Sequence, residues 1–352
     1  MTEQKQSTLN ILIIEDEPKV IKEWARVLER HNLNTVKNNY EILYRTTSTV
    51  EESLNILENS RFDAVVVDLG LKKISSEINA DGNEIVEKIL ADYPIGVVIF
   101  TGQPQHAKQD FPKSLVQVID KSSGQTKVID WLTENKDLFY GIRAAESAFR
   151  TETAKVFFSQ IWNRWKYWTD GAKTSGTDIS TSIARHIMAH VHDSLLSADE
   201  DLAHPEEAYF VPPLKARLDT GDILEIENEK WIIVSPRCDL ANPQKVDTIL
   251  LAKCEEITTE WDSANDKNKN KKTQHDGSPK QHFLFPLRDN NGIPHGPWMV
   301  QFHNIKSTPR DKAISEYPEL RFASLSPLYV PSLVERFGSY FSRIGTPGYS
   351  KN

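Results

Sequence analysis

The sequence predicts an α/β fold for its first third, a doubly wound parallel sheet, followed by a helical connector and a β-rich (α+β) C-terminal domain. Three observations predict it. Short aliphatic runs alternate with amphipathic windows from residue 9 onward, residues 125–200 carry almost unbroken helical patterning, and from about Pro212 short β-type runs and turn residues take over. A length of 352 residues accommodates two or three domains. Their boundaries are expected at 1–136, 137–205 and 206–352.

The runs Ile11–Ile14, Ile42–Tyr44, Ala64–Val67, Val97–Phe100 and Val116–Ile119 are short and mostly aliphatic, as strands buried on both faces must be. Between them, Val20–Arg30, Val50–Asn59 and Gly82–Ala91 read as helices. A weaker window lies near Ala107–Ser114, and Lys127–Thr133 follows the last strand. Such alternation implies right-handed crossovers. In the connector, Phe158, Trp162 and Trp165 fall at i, i+4 and i+7, beside Phe157, Tyr167 and Trp168. That spacing predicts a helix that buries an aromatic face against its neighbour, and it also suits a helix through which two copies pair. Thr177–Ser197 reads as a further helix capped by Thr177 or Asp178.

In the last domain the expected strands are Asp222–Ile226, Trp231–Ser235, Thr248–Ala252, His282–Leu287 and Trp298–His303. Turns are expected at Asn228–Glu229, Arg288–Gly292 and Pro294–Gly296. Ser263–Lys280 is polar without periodicity and reads as a mobile loop, and Leu333–Arg343 as a closing amphipathic helix.

Composition narrows the function. Hydrophobic residues make up 39% and charged residues 26%, a globular balance with material for real cores. The net charge of −8 and the absence of a helix-turn-helix signal disfavour nucleic acid as a partner. Two cysteines make no disulfide framework and no Cys-x-x-Cys pair. With neither a signal peptide nor a membrane-spanning stretch, the chain is expected to be soluble and cytoplasmic.

The chemistry gathers at the C-terminal tips of the first-domain strands, where open α/β sheets bind ligands. Glu15 and Asp16 follow the first run, Asp68 the third, Thr101 the fourth, and Lys121 the fifth. Three converging carboxylates repel one another and call for a divalent cation, and an all-oxygen set suits Mg²⁺ better than zinc. Asp68, placed centrally, can be both ligand and nucleophile towards phosphorus. The Lys121 ammonium and Thr101 hydroxyl can then stabilise charge on the phosphoryl oxygens.

The set ILIIEDEP, AVVVDLGL, VVIFTGQP and VIDK, in this order and spacing, resembles the receiver domain of two-component response regulators, a flavodoxin-like (βα)5 fold, over residues 9–136. The resemblance implies that Asp68 is the phosphoacceptor, Asp16 a direct Mg²⁺ ligand, and Glu15 a ligand through water. It further implies the carbonyl of Gly70 as the remaining protein ligand, Thr101 as the switch hydroxyl, Lys121 as the phosphate-binding lysine, and a histidine kinase as partner. Two positions depart from the family pattern. Ile119 stands where an aromatic readout residue is usual, and Ser122 where proline usually follows the lysine. Lys72–Ala80 also lengthens the loop after the acceptor. In overall plan the chain is similar to the receiver-bearing phosphate buffer of Detocs-type bacterial antiphage systems, which implies a role in antiviral defence signalling.

Other signals are weaker. His186 and His190 could share a helix face as metal ligands, although surface histidines explain them as well. An alternative class makes the C-terminal half a receiver-controlled nuclease or hydrolase, with Cys238 and Asp239 joined by His282, His295 or His303. A buried cysteine at a turn accounts for Cys238 with less assumption. GDIL followed by WIIVS resembles the small barrel of MazF-type RNA-cleaving toxins, without the rest of that family's pattern. Arg336 and Arg343 receive no role.

Overall fold

The computed structural model describes residues 7–34, 38–71, 82–112, 116–196, 203–242, 246–274 and 280–342. The chain divides into two compact units, residues 1–198 and 199–352. In the first unit β1 (Ser7–Ile14), α1 (Pro18–Asn32), β2 (Tyr40–Thr47), α2 (Val50–Asn59), β3 (Ala64–Val67), α3 (Gly82–Asp92), β4 (Gly96–Thr101) and β5 (Val116–Asp120) follow in order. The strands form one parallel sheet, β2-β1-β3-β4-β5.

Alternation within each strand builds the two core layers. Leu9, Ile11, Ile13, Val66, Val98 and Phe100 face one side, and Leu12, Ile14, Val65, Val67, Val97 and Ile99 the other. Both sides are therefore aliphatic, and both are covered. Trp24 and Leu28 of α1 close the first layer, with Trp24 edge-on to Phe100 at 5.3 Å. Leu57 of α2 with Ile85 and Ile89 of α3 close the second. The expected doubly wound sheet is present.

The fourth crossover differs. The window Ala107–Ser114 is not helical over residues 107–112, and residues 113–115 lie outside the described chain. Only Pro104–His106 makes a single 3₁₀ turn. The backbone N–H of Lys108 donates to Asn83 Oδ1 at 3.0 Å, so it is diverted from helical pairing. Ala107 and Phe111 still fill the layer a helix would cover.

From Gln125 one helix, α4 (Gln125–Val156), runs 32 residues. It is fastened at the N-terminal end of the sheet. A Cβ at Gly96 would lie 2.7 Å from the Phe139 ring, so glycine there lets helix and strand meet. Arg143 Nε donates to Asp63 Oδ1 at 3.0 Å, and Asp63 Oδ2 accepts from the Asn10 amide at 2.6 Å. Arg61 pairs with Glu146. Beyond Val156 come a π-helical turn (Phe157–Ile161) and a 3₁₀ turn (Trp162–Arg164). Then follow α5 (Trp165–Ser175) and α6 (Ile179–Leu196). Asp178 caps α6 as expected, accepting from the Thr181 amide at 2.8 Å. The aromatic face is not buried: Phe158, Trp162 and Trp165 are exposed. The π turn breaks the 3.6-residue period that the i, i+4, i+7 spacing assumes.

The second unit carries β6 (Tyr209–Phe210), β7 (Asp222–Ile226), β8 (Glu229–Ile233), α7 (Arg237–Ala241), β9 (Thr248–Glu256), α8 (Thr258–Ser263) and α9 (Asp266–Thr273). It continues with β10 (Gln281–Leu284), β11 (Leu287–Arg288), β12 (Pro294–His295), β13 (Trp298–Pro309), α10 (Arg310–Glu316), β14 (Arg321–Leu325) and α11 (Val330–Phe341). Seven strands make an antiparallel sheet, β10-β13-β9-β8-β7-β14-β6. The β7–β8 hairpin turns on Glu227 and Asn228, whose φ values of 55° and 64° place the turn one residue earlier than expected and match the strand twist.

Three expectations change here. Ser263–Lys280 is not all loop: Asn265 caps α9 by accepting from the Asn268 amide at 3.0 Å, Lys269 lies over the Trp261 ring, and Lys272 pairs with Glu260 at 2.9 Å. Residues 275–279 lie outside the described chain. Pro294 and His295 form a strand against β11 rather than a turn. Cys238 is exposed on α7, whereas Cys254 is the buried cysteine. Arg336 donates to the Gln281 carbonyl at 2.9 Å, and Arg343 lies outside the described residues.

Candidate functional site

The parallel sheet brings the five strand-end residues to one edge. Glu15 and Asp16 follow β1, Asp68 follows β3, Thr101 ends β4, and Lys121 follows β5. Lys121 Nζ lies 2.7 Å from Glu15 Oε2 and donates to Asp68 Oδ2 at 2.9 Å. One oxygen from each of Glu15, Asp16 and Asp68 lies within 4.8 Å of the others. Glu15, Asp68 and Thr101 are buried. An open cleft of about 670 Å³ above them is lined by Asp68, Gly70, Asn83, Thr101, Gln103 and Lys121. A larger groove, bounded by Arg30, His31, Val118 and Asp130, contains none of the acidic trio.

Burial pushes the Glu15 carboxyl above the usual carboxylate range, against the opposing hydrogen bond from Lys121. Burial acts downward on Lys121, but Glu15 and Asp68 outweigh it and hold the ammonium's pKa above its usual value. Three carboxylates against one ammonium leave excess negative charge. An all-oxygen group of this charge in an open cleft suits a hard divalent cation such as Mg²⁺.

Local structure holds Glu15, Asp68, Thr101 and Lys121. Glu15 Oε1 accepts from the Glu17 amide at 3.1 Å. The Asp68 amide donates to the Ile14 carbonyl at 2.9 Å. Thr101 Oγ1 accepts from the Gln103 amide at 3.3 Å. After Lys121 the chain bends through a 3₁₀ turn capped by Asp120, whose Oδ1 accepts from Ser122 N at 2.7 Å. A proline at 122 would lack that donor. Ile119 is packed into the core layer with Phe100 and Ile129.

Two residues at this site escaped sequence reasoning. A Cβ at Gly82 would lie 2.5 Å from the Asp68 carbonyl oxygen, so α3 can start against the loop that follows Asp68 only with glycine there. Asn83 Nδ2 donates to the His106 carbonyl at 3.1 Å while its Oδ1 holds Lys108, tying α3 to the loop after Thr101. The Asp-Gly-Asn run is a turn-like signal, but nothing local says what the glycine approaches. The extended loop at Lys72–Ala80 lies outside the described residues.

The remaining candidates do not converge. His186 packs against Trp168 at 5.4 Å, and His190 lies 3.3 Å from Glu152. Cys238 Sγ has Asp239 Oδ1 at 3.4 Å. His282 is on β10, separated from β8 by β13 and β9. His295 faces Asp289 and Phe322, and His303 is exposed. Among the described residues, Glu15, Asp16 and Asp68 are the one cluster of three or more potential metal ligands.

No family model matches the chain, and no curated protein does. Solved structures of response regulators match its N-terminal part. The response regulator TrrA of Thermotoga maritima, in complex with Mg²⁺-BeF, is 16% identical, with 36% of this chain and 97% of that chain covered and a TM-score of 0.29. A CheY-like receiver domain from Methylobacillus flagellatus is 17% identical over 35% and 98%, with a TM-score of 0.27. The anti-anti-sigma factor PhyR of Bartonella quintana is 19% identical over 41% and 53%, with a TM-score of 0.31. No described helix is long and apolar enough to cross a membrane.

Proposed function

We propose that the chain is a response-regulator-like phosphoprotein of a cytoplasmic two-component system, which takes a phosphoryl group from a histidine kinase onto Asp68. The observation that carries this reading is Lys121 Nζ held between Glu15 and Asp68, at 2.7 and 2.9 Å, in the cleft that Thr101 also lines. An Asp68 oxygen attacks the phosphorus of a kinase phosphohistidine. The O–P bond forms as the P–N bond breaks, and the imidazole leaves with the electron pair. Lys121, already on Asp68 Oδ2, shifts to a phosphoryl oxygen, and the Thr101 hydroxyl donates to another. Asp16, Asp68 and the Gly70 carbonyl, with Glu15 beside them, would hold a Mg²⁺ ion, which would supply the charge neutralisation that transfer requires.

The kinase is one partner on this reading. A second copy of the chain, met along the helical segment, is the other. The reading favours a phosphate buffer over a switch. Ile119 is locked in the core where an aromatic readout is usual, and residues 107–112 offer no helix to move. In the antiphage setting that the overall plan resembles, such a buffer would drain phosphoryl groups from a sensor kinase. Among the described residues, no assembled geometry favours an enzymatic role for Cys238 and Asp239.

The test is the intact mass of the protein after exposure to a phosphorylated histidine kinase and Mg²⁺. The wild type gains one phosphoryl group, and Asp68→Ala gains none. Equal gain by Asp68→Ala would overturn the acceptor assignment.

A further inference from the structure

Two stretches of the second unit, Asp219–Leu224 and Ser235–Leu240, come together at one place. Thr220 Oγ1 donates to the Ser235 carbonyl at 2.6 Å, and Arg237 Nε donates to Asp219 Oδ1 at 2.9 Å. They border a partly enclosed cavity of about 100 Å³. One part of its wall is apolar, formed by Phe210, Leu214, Leu325 and Pro327. The other part carries Lys215, Asp219, Asp222 and Arg237. The two carboxylates are buried, at 4% and 1% exposure, whereas the side chains of Lys215 and Arg237 are 48% and 47% exposed.

Each carboxylate oxygen at the cavity already accepts from protein. Asp219 Oδ2 takes Lys215, and its Oδ1 takes Arg237 and the Thr220 amide, both at 2.9 Å. Asp222 Oδ1 accepts from Ser324 Oγ at 2.5 Å, and its Oδ2 from the Asp219 amide at 2.8 Å. Arg321, 3.8 Å from Asp222, spends its guanidinium on the backbone carbonyls of Lys215, Ala216 and Arg217. The Arg237 contact uses Nε alone. Among the described residues its two Nη groups have no partner, and Lys215 Nζ has only Asp219. The hydrogen-bonding capacity left open here is therefore that of donors. Charge points the same way. Lys215, Arg237 and Arg321 against Asp219 and Asp222 leave one positive charge in excess. Burial acts upward on the Asp219 carboxyl, but Lys215 and Arg237 outweigh it and hold its pKa below the ordinary value.

We propose that this cavity binds a small carboxylate, with its oxyanion on the Arg237 Nη groups and Lys215 and its short apolar body against Phe210, Leu214 and Leu325. A guanidinium is a planar fork that a carboxylate meets with both oxygens. Size narrows the ligand further. At ~30 Å³ per water, the cavity has room for roughly three waters, which suits acetate or propionate and excludes a nucleotide or a peptide. Inorganic phosphate is of similar size, but some of its four oxygens would lie against the apolar wall without donors, which costs affinity. The site belongs wholly to the second unit, so it stands or falls apart from the acceptor reading of Asp68.

Titration calorimetry of the full-length protein with sodium propionate, sodium acetate and inorganic phosphate tests the site. One-to-one binding of propionate is expected with a Kd of about 1 mM, within the reach of a ligand of roughly five non-hydrogen atoms. Phosphate is expected to bind about tenfold more weakly, or less. Arg237→Gln is expected to weaken propionate binding by about tenfold or more, as the loss of a charged donor pair does. Should that variant lose its circular dichroism, Leu214→Trp decides instead. It fills the cavity from a largely exposed position, keeps every ion pair, and is expected to show the same loss in folded protein. No saturable binding of propionate or acetate by the wild type overturns the site. Phosphate bound as tightly as propionate overturns the carboxylate class, and undiminished propionate binding by either folded variant overturns the residues named.

Discussion

Asp68 acts only as part of a charge arrangement, and single side chains shift that arrangement in definite directions. Lys121→Ala removes the ammonium that bridges Glu15 and Asp68. Phosphoryl gain at Asp68 is expected to slow about 100-fold, as when a donor to a developing oxyanion is lost, measured by intact mass against time. Gly82→Ala places a methyl group against the Asp68 carbonyl, which α3 can relieve only by moving away. Overpacking of this kind costs ~1–3 kcal/mol, and because the loop after Asp68 shifts, the rate of phosphoryl gain is expected to fall about tenfold. At His31, burial lowers the imidazole below its ordinary 6.5, and Asn38 Nδ2, 3.3 Å from Nδ1, requires that nitrogen unprotonated. The folded state therefore refuses a proton that the unfolded chain accepts. Stability of the first unit should decline as pH falls through 6.5. Urea midpoints on either side of that pH are expected to show the decline in the wild type and a smaller one in His31→Gln.

Among the elements, α4 bears the largest structural burden, because one helix belongs both to the sheet and to the segment beyond it. The Arg143–Asp63 pair fastens it where the Asp63 side chain is almost wholly enclosed. Removing one partner of a fully buried pair costs ~3–5 kcal/mol. Arg143 retains some exposure, so Arg143→Ala is expected to cost about 2 kcal/mol, read as a lowered urea midpoint with phosphoryl gain at Asp68 retained. Asp68 and the fastening site at Asp63 lie at opposite ends of β3, which is why the two effects separate. Element existence was legible throughout the sheet, since Val65, Val66 and Val67 can only be a strand buried on both faces. The fourth crossover was not legible, because Asn83 diverts the Lys108 amide across 25 residues. The mixed π and 3₁₀ path through Phe157–Arg164 was not legible either, since periodicity assumes a regular helix.

On the scale of the whole molecule, the question is whether the phosphoryl group reaches beyond the first unit. With Ile119 fixed in the core and no helix over residues 107–112, loading with Mg²⁺ and beryllium fluoride is expected to alter amide exchange only around Asp68, Gly82–Lys108 and Lys121. Residues 203–342 should exchange unchanged. Protection that changes across β7, β8 or β9 would mean that the second unit is an output domain, and the buffer reading would fail.

The sequence by itself determined the parallel sheet and the five strand-end residues, because two-faced burial demands unbroken aliphatic runs and the chain direction then puts Glu15, Asp16, Asp68, Thr101 and Lys121 at one edge. Only the tertiary structure decided which groups support that edge. The requirement at Gly82 comes from the Asp68 carbonyl 14 residues away, and Asp63 finds Arg143 across 80 residues. Tertiary structure likewise decided that Cys238 and the later histidines stay apart and that the aromatic rings of residues 157–167 face outward. Each of these turns on what one segment meets from another, a quantity that local periodicity and residue type do not contain.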